Sequence, residues 1–128
     1  MQCEVSELLG KTLVSITGAK EGNDEIIFEC SDGSKYRMYH EQDCCETVTI
    51  EDICGYINSL IDNPLTMAED VSNTMDIPII DKMVYSCTWT LYKFATVRGY
   101  VTIRWYGESN GYYSERVDFE KLRIRNDN

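Results

Sequence analysis

The stretch Met38-Tyr39-His40-Glu41-Gln42-Asp43-Cys44-Cys45-Glu46 sets an imidazole, an amide, three acid side chains and two adjacent thiols side by side. Zinc binding is the first chemistry to weigh, because His40, Asp43, Cys44, Cys45 and Glu46 are all zinc-ligand types. Structural zinc sites, however, space their cysteines by two to four residues, and neighbouring cysteines in an extended segment point to opposite sides. His40 is the only histidine, and no second cysteine or histidine pair stands elsewhere in the chain. A cysteine nucleophile is the second possibility, since it needs a histidine or a helix N-terminus nearby. His40 lies four residues before Cys44, but the negative charge of Asp43 and Glu46 disfavours a thiolate. The carboxylate pairs Glu41/Asp43 and Glu51/Asp52 have acid and base character, yet one member of each pair is expected to face water. Gly18-Ala19-Lys20-Glu21-Gly22-Asn23-Asp24 lacks the spacing and the Lys-Ser ending of a phosphate loop. The expectation is therefore a site without catalytic residues, metal or cofactor.

A second block, Arg104-Trp105-Tyr106-Gly107-Glu108-Ser109-Asn110-Gly111-Tyr112-Tyr113-Ser114-Glu115-Arg116, suits recognition better than reaction. Tyrosines supply rigid stacking area with a polar tip, Asn110 and Ser114 adaptable hydrogen bonds, and Arg104 and Arg116 forks for a phosphate. Tyr106, Tyr112 and Tyr113 are the stacking candidates.

These blocks need elements to position them. After a short helical lead in Glu4-Val5-Ser6-Glu7-Leu8-Leu9-Gly10, three stretches rich in β-branched and aromatic residues (11–18, 25–31 and 35–40) predict a meander. The Asp32-Gly33 pair provides one of its tight turns. Ile50, Ile53, Cys54, Ile57, Leu60 and Ile61 fall at helical spacing behind Thr49 as N-cap, which predicts an amphipathic helix over about 50–62, ended by Asn63-Pro64. A short strand follows at 65–71, and 72–84 reads as an irregular connection. Strands are expected at about 85–96, 100–107 and 112–119. A three-residue loop at 109–111 would set Glu108 opposite Tyr112, Arg104 opposite Arg116, Tyr106 opposite Ser114, Thr102 opposite Asp118, Ile103 opposite Val117 and Trp105 opposite Glu115. Alternation would then put Val101, Ile103, Trp105, Val117 and Phe119 in the core, joined by Trp89, Leu91 and Ala95 across a bulged turn at Gly99. The other face would carry Thr90, Tyr92, Thr102, Arg104, Tyr106, Ser114, Arg116 and Asp118. The expected fold class is α+β: a twisted antiparallel sheet of about six strands with one main amphipathic helix packed on it, as a single domain over 1–128.

The net charge of −10 argues against binding to DNA, RNA or anionic membranes. The first 87 residues carry 17 of the 22 acidic side chains, whereas residues 88–125 hold seven basic residues against Glu108, Glu115, Asp118 and Glu120. No apolar run is long enough to span a bilayer, and the first residues lack the pattern of an export signal, so a cytoplasmic setting with reduced cysteines is expected. Cys30, Cys54 and Cys87 sit where core residues belong.

The segments 38–55 and 88–119 resemble the signature segments of DUF7448, a family of small bacteriophage and prophage proteins. Its members share the patterns H-x-Q-D-C-C-E and W-x-G-x-S-N-G-Y-Y-S-E. The likeness spans most of residues 8–120 and lapses over about 56–84, where Tyr56-Ile57-Asn58-Ser59 replaces expected acidic residues. It implies that His40, Gln42, Asp43, Cys44, Cys45, Glu46, Arg104, Ser109, Asn110, Tyr112, Tyr113, Ser114 and Glu115 belong to the family's motif, and it implies a phage or prophage source in a bacterial host. With Tyr106 and Arg116 added, these residues form the expected ligand site. The expected function is non-enzymatic: an anti-defence protein that sequesters a small anionic immune signal of nucleotide type. Two alternatives are an acidic protein that imitates nucleic acid to block a host defence protein, and a small cysteine- or metal-dependent hydrolase. Exposed edge strands would permit a homodimer.

Overall fold

The computed structural model describes residues 1–78 and 84–123. Among them are eight strands in two antiparallel four-stranded sheets, with helical structure confined to two short 3₁₀ turns. The strands are β1 (Leu13–Thr17), β2 (Glu25–Cys30), β3 (Lys35–Tyr39), β4 (Thr47–Cys54), β5 (Met67–Pro78), β6 (Val84–Thr96), β7 (Gly99–Ser109) and β8 (Asp118–Leu122). One sheet has the order β1-β2-β3-β8 and the other β4-β7-β6-β5.

The meander expected for the first forty residues is present, with Gly33 at positive φ in the β2–β3 turn. The α+β expectation is overturned by the absence of a main helix among the described residues. Val5–Leu8, the expected helical lead, is a single 3₁₀ turn, and the segment expected as helix 50–62 divides into β4 and a 3₁₀ turn at Ile57–Leu60. The cause is a bulge. β4 pairs regularly with β7 except between Ile50 and Asp52, so Glu51 is an extra residue and the inward side steps from Val48 and Ile50 to Ile53. One inserted residue turns a period of two into a spacing of three, which imitates a helix in the sequence. Gly55 then fixes the exit: its φ is +110°, and a Cβ there would lie 2.4 Å from the Tyr100 carbonyl oxygen.

The sheets pack through one continuous core. Leu13, Ile26, Phe28, Tyr36, Met38 and Phe119 contribute from the first sheet, and Val48, Ile50, Ala68, Tyr92, Phe94, Val101, Ile103 and Trp105 from the second. Phe28 and Phe94 meet across the interface at 5.7 Å between ring centroids. Trp105 is fully buried and donates its indole N–H to the Met38 sulfur at 3.2 Å, so the largest core side chain leaves no orphan donor.

The face expected for β6 is reversed. Val97 and Arg98 form a two-residue turn with Thr96 opposite Gly99, which places Phe94 opposite Val101, Tyr92 opposite Ile103 and Thr90 opposite Trp105. Thr90, Tyr92 and Phe94 are therefore buried, while Trp89, Leu91 and Ala95 lie on the outer face. The expected short strand at 65–71 extends instead through Pro78, so residues 72–78 are strand rather than irregular connection; the rest of that connection, 79–83, lies outside the described residues.

The expected strand 112–119 is not a hairpin partner of β7. Residues 110–117 are irregular, and β8 pairs with β3 in the other sheet, Tyr39 opposite Asp118 and Met38 opposite Phe119. Arg104 lies opposite Leu91 and Asp52, Tyr106 opposite Trp89 and Thr49, and Trp105 opposite Thr90 and Ile50. Thr102 faces Lys93 and Cys54, Ile103 faces Tyr92 and Ile53, and Glu108 faces Cys87 and Thr47. The two arginines are thus not neighbours on one sheet.

Truncating the residue that couples the sheets should be costly: Trp105→Ala is expected to lose about 3–5 kcal/mol in urea unfolding followed by circular dichroism. A loss under 1 kcal/mol would show that Trp105 is not central to the core.

Candidate functional site

Ser109 ends β7 and begins the segment that carries the second block across the sheet. Its hydroxyl accepts the Gly111 N–H at 3.0 Å and donates to Glu115 Oε2, which closes a loop over 109–115. Asn110 Oδ1 accepts the Tyr112 N–H inside that loop, and Gly111 adopts the left-handed conformation that a glycine takes without penalty. Glu115 is buried. Its other oxygen accepts the hydroxyls of Thr88 at 2.7 Å and Ser86 at 3.2 Å, both on the inner face of β6. Gly107 makes room: a Cβ there would meet both the Glu115 Cβ and Val48 Cγ2 at 3.0 Å. The chain lies down on the sheet because a glycine in β7 admits it and three hydroxyls hold its carboxylate.

The first block is a loop closed around a second buried carboxylate. Glu46 accepts the backbone N–H of Asp43 at 2.6 Å and of Cys44 at 3.1 Å, while Gln42 Nε2 donates to the carbonyl oxygens of Cys44 and Glu46. His40 Nε2 lies 2.9 Å from Glu46 Oε1, and Nδ1 lies 2.7 Å from the carbonyl oxygen of Arg116. Each ring nitrogen thus meets an oxygen of a different block. The Asp43 N–H first, and then His40, hold the Glu46 carboxyl well below its ordinary 4.5, at about 2. His40 is therefore the clasp between the two blocks.

Cys44 and Cys45 are bonded to each other and exposed, which corrects the expectation of reduced thiols at this pair. Of the three cysteines expected in the core, Cys30 and Cys87 are buried, but Cys54 is exposed at the end of β4.

The crossing segment roofs a cleft of about 340 Å³ on the inner face of β5 and β6, lined by Ser72, Thr74, Ser86, Thr88, Thr90 and the segment Tyr113–Arg116. A recess of about 220 Å³ adjoins it through shared Ser72, Thr90 and Arg116, and brings in Glu4, Asp70 and Tyr92. The hydroxyls are paired across the strands, Ser72 with Thr90 at 3.3 Å and Thr74 with Thr88 at 2.9 Å. The Arg116 side chain is 75% exposed, its Nε 3.4 Å from Asp118 Oδ1.

Of the expected site residues, Tyr113, Ser114, Glu115 and Arg116 line the cleft, and Ser109 and Asn110 shape its roof. Tyr112 stands out into solvent with its ring 5.1 Å from that of Tyr113. His40, Gln42, Asp43, Cys44, Cys45 and Glu46 form the clasp beside it. Arg104 and Tyr106 belong elsewhere: they lie on the outer face of the same sheet, where Arg104 sits 2.9 Å from Glu51 and Tyr106 packs on Trp89 and donates to Glu108. Sequence reasoning missed Ser72, Thr74, Ser86 and Thr88. The alternation Ser86, Thr88, Thr90 was the available signal, because hydroxyls at a period of two share one face.

Among the described residues, no group of three or more histidine, cysteine and acid side chains is placed to hold a metal ion. No helix among them is long and apolar enough to cross a membrane. The domain-of-unknown-function family DUF7448 matches the chain over residues 6–119, and the chain belongs to that family. No curated protein and no solved structure matches it.

The depressed carboxyl gives the clasp a pH signature. Glu46 binds its proton less readily in the folded chain than in the unfolded one, so its contribution is complete above about pH 5 and is lost as pH falls from the ordinary 4.5 towards about 2. Glu46→Gln should be less stable than wild type near neutral pH, with the gap closing through that window in chemical unfolding curves. A gap independent of pH would show that the charge does not hold the loop.

Proposed function

We propose that this member of the DUF7448 family is a non-enzymatic binding protein that takes a small polyhydroxylated anion, of nucleotide or sugar-phosphate type, into the cleft beneath Tyr113–Arg116. The observation that carries this reading is the lining: hydroxyls from two strands face a tyrosine and an exposed guanidinium across about 340 Å³, within the size range of small-molecule sites. Arg116 offers a fork to one phosphate or carboxylate, and the Ser and Thr rows match sugar hydroxyls. Glu4 and Asp70 in the adjoining recess disfavour a second anionic group there, which favours ligands whose charge is confined to one end. The Glu115 carboxylate is already occupied by three hydroxyl donors, an arrangement suited to fixing a wall rather than accepting a substrate proton.

A phage or prophage origin, and the sequestration of a host immune signal in a bacterial cytoplasm, belong to the same proposal. What supports them is the likeness of the two sequence blocks to the family's signature.

The test is thermal unfolding against mononucleotides, cyclic dinucleotides, ADP-ribose, sugar phosphates and inorganic phosphate. A ligand at a hundred times its Kd adds about 2.7 kcal/mol of stability, enough to raise Tm by several degrees. Arg116→Ala should abolish the shift and Arg104→Ala should leave it intact. Equal loss in both variants, or no shift with any compound, would end the cleft reading, and recovery of a chemically altered ligand would replace binding with catalysis.

A further inference from the structure

A disulfide between adjacent residues closes almost no chain loop, so it removes little entropy from the unfolded state and is a poor structural staple. The Cys44–Cys45 bond is also exposed, where a reductant can reach it. Exposed disulfides are the ones that exchange, and they serve regulation or catalysis more often than stability. Cys54, the other exposed cysteine, hydrogen-bonds to Asp52, whose carboxylate pushes the thiol up and makes it a weaker nucleophile.

The pair also sits at a mechanically consequential point. Its ring includes the 44–45 peptide unit, whose carbonyl accepts from Gln42 Nε2 at 3.2 Å, and the N–H of Cys44, borne on a ring atom, donates to Glu46 Oε2 at 3.1 Å. Glu46 in turn holds His40 at 2.9 Å, and His40 holds the carbonyl of Arg116 at 2.7 Å. Three hydrogen bonds in series thus join the backbone at the disulfide to the residue that presents a guanidinium to the cleft.

We propose that Cys44–Cys45 is a reversible thiol–disulfide exchange site whose oxidation state sets the order of the cleft's roof. The co-reactant is a dithiol. One of its thiolates attacks an exposed sulfur, forms a mixed disulfide and displaces the other cysteine as a thiolate, which takes up a proton. The second thiolate of the reductant then attacks its own sulfur in the mixed disulfide and expels the remaining cysteine, which is protonated in turn. Two electrons and two protons end on Cys44 and Cys45, and the reductant leaves as its disulfide. Freed of the ring, Cys44 no longer holds its N–H aimed at Glu46, and the clasp on Arg116 loosens. The consequence for ligand binding rests on the function proposed above; the exchange and its structural effect do not.

The experiment brings the full chain to equilibrium with reduced and oxidised dithiothreitol at fixed ratios, traps thiols with iodoacetamide and maps them by peptide mass. Amide hydrogen exchange is followed in parallel. Cys44 and Cys45 should be alkylated together or not at all, reversibly with the ratio. Amides of 41–46 and 110–116 should exchange several-fold faster in the reduced protein, while the β1–β2 hairpin is unchanged. Cys44→Ser/Cys45→Ser should exchange like reduced wild type in both buffers. If oxidised dithiothreitol never protects both cysteines, the site does not exist. If it does protect them but 110–116 exchanges equally in both states, the coupling to the cleft is overturned. Failure of every ligand to bind in either state would defeat the function proposed above, while the exchange data would still decide this proposal.

Discussion

The carboxylate of Glu115 is buried on the inner face of a β-sheet with three hydroxyls pointed at it, and the course of the chain from Ser109 onward follows from that constraint. An anion withdrawn from water must find donors or stay protonated. Ser86, Thr88 and Ser109 are those donors, and they lie on β6 and β7, so the carboxylate can be satisfied only if the chain turns back over the sheet it has just left. Gly107 makes that path open, since any side chain there would occupy the space of Glu115. With a hairpin thus precluded, the following residues are free to cross the core and enter the other sheet as β8, where Phe119 stacks on Tyr36 with 5.4 Å between rings. One polar requirement therefore ties the two sheets together and also roofs the cleft.

Glu46 solves the same problem by other means. Its donors are two backbone N–H groups and an imidazole, the charge-assisted arrangement that stabilises an ionised carboxylate most strongly. The two glutamates sit in the two sequence blocks that look most like chemistry, and in both cases the acid organises its own loop. His40 joins them by spending one ring nitrogen on each block. The histidine is thus a scaffold residue, which is what a buried imidazole with both nitrogens occupied by protein acceptors is suited to be.

How much of this was legible follows from where periodicity survives. The meander could be read because β2 and β3 alternate regularly and Asp32-Gly33 marks the turn. The bulge at Glu51 corrupted the period in β4, and apolar residues three apart then favoured a helix over the β-branched run that in fact forms a strand. At Val97-Arg98 an assumed bulge in place of a two-residue turn moved the register by one residue, which is enough to exchange the faces of β6. The clustering of His40 to Glu46 and of Ser109 to Arg116 was legible from residue type alone, but their meeting through His40 and Arg116 was not, because it depends on a carbonyl oxygen that no sequence pattern reports. Ser72 and Thr74 were hidden for a simpler reason: no strand was expected there to give them a face.

The inner face of the β4-β7-β6-β5 sheet is divided along its strands. At one end Phe94, Val101, Ile103 and Trp105 meet the other sheet, and at the opposite end Ser86, Thr88 and Thr74 face the crossing segment. What stands opposite the second end is the crossing segment, joined at Ser72 and Thr90 by Glu4, Val5 and Phe119. Hydroxyls paired across strands satisfy one another while keeping lone pairs available, so this end can face water without destabilising the sheet. One surface is thus apolar against the other sheet and hydroxylated under the crossing segment. Substitutions at Ser72 and Thr74 can then alter the cleft lining while Ser86 and Thr88 keep their bonds to Glu115.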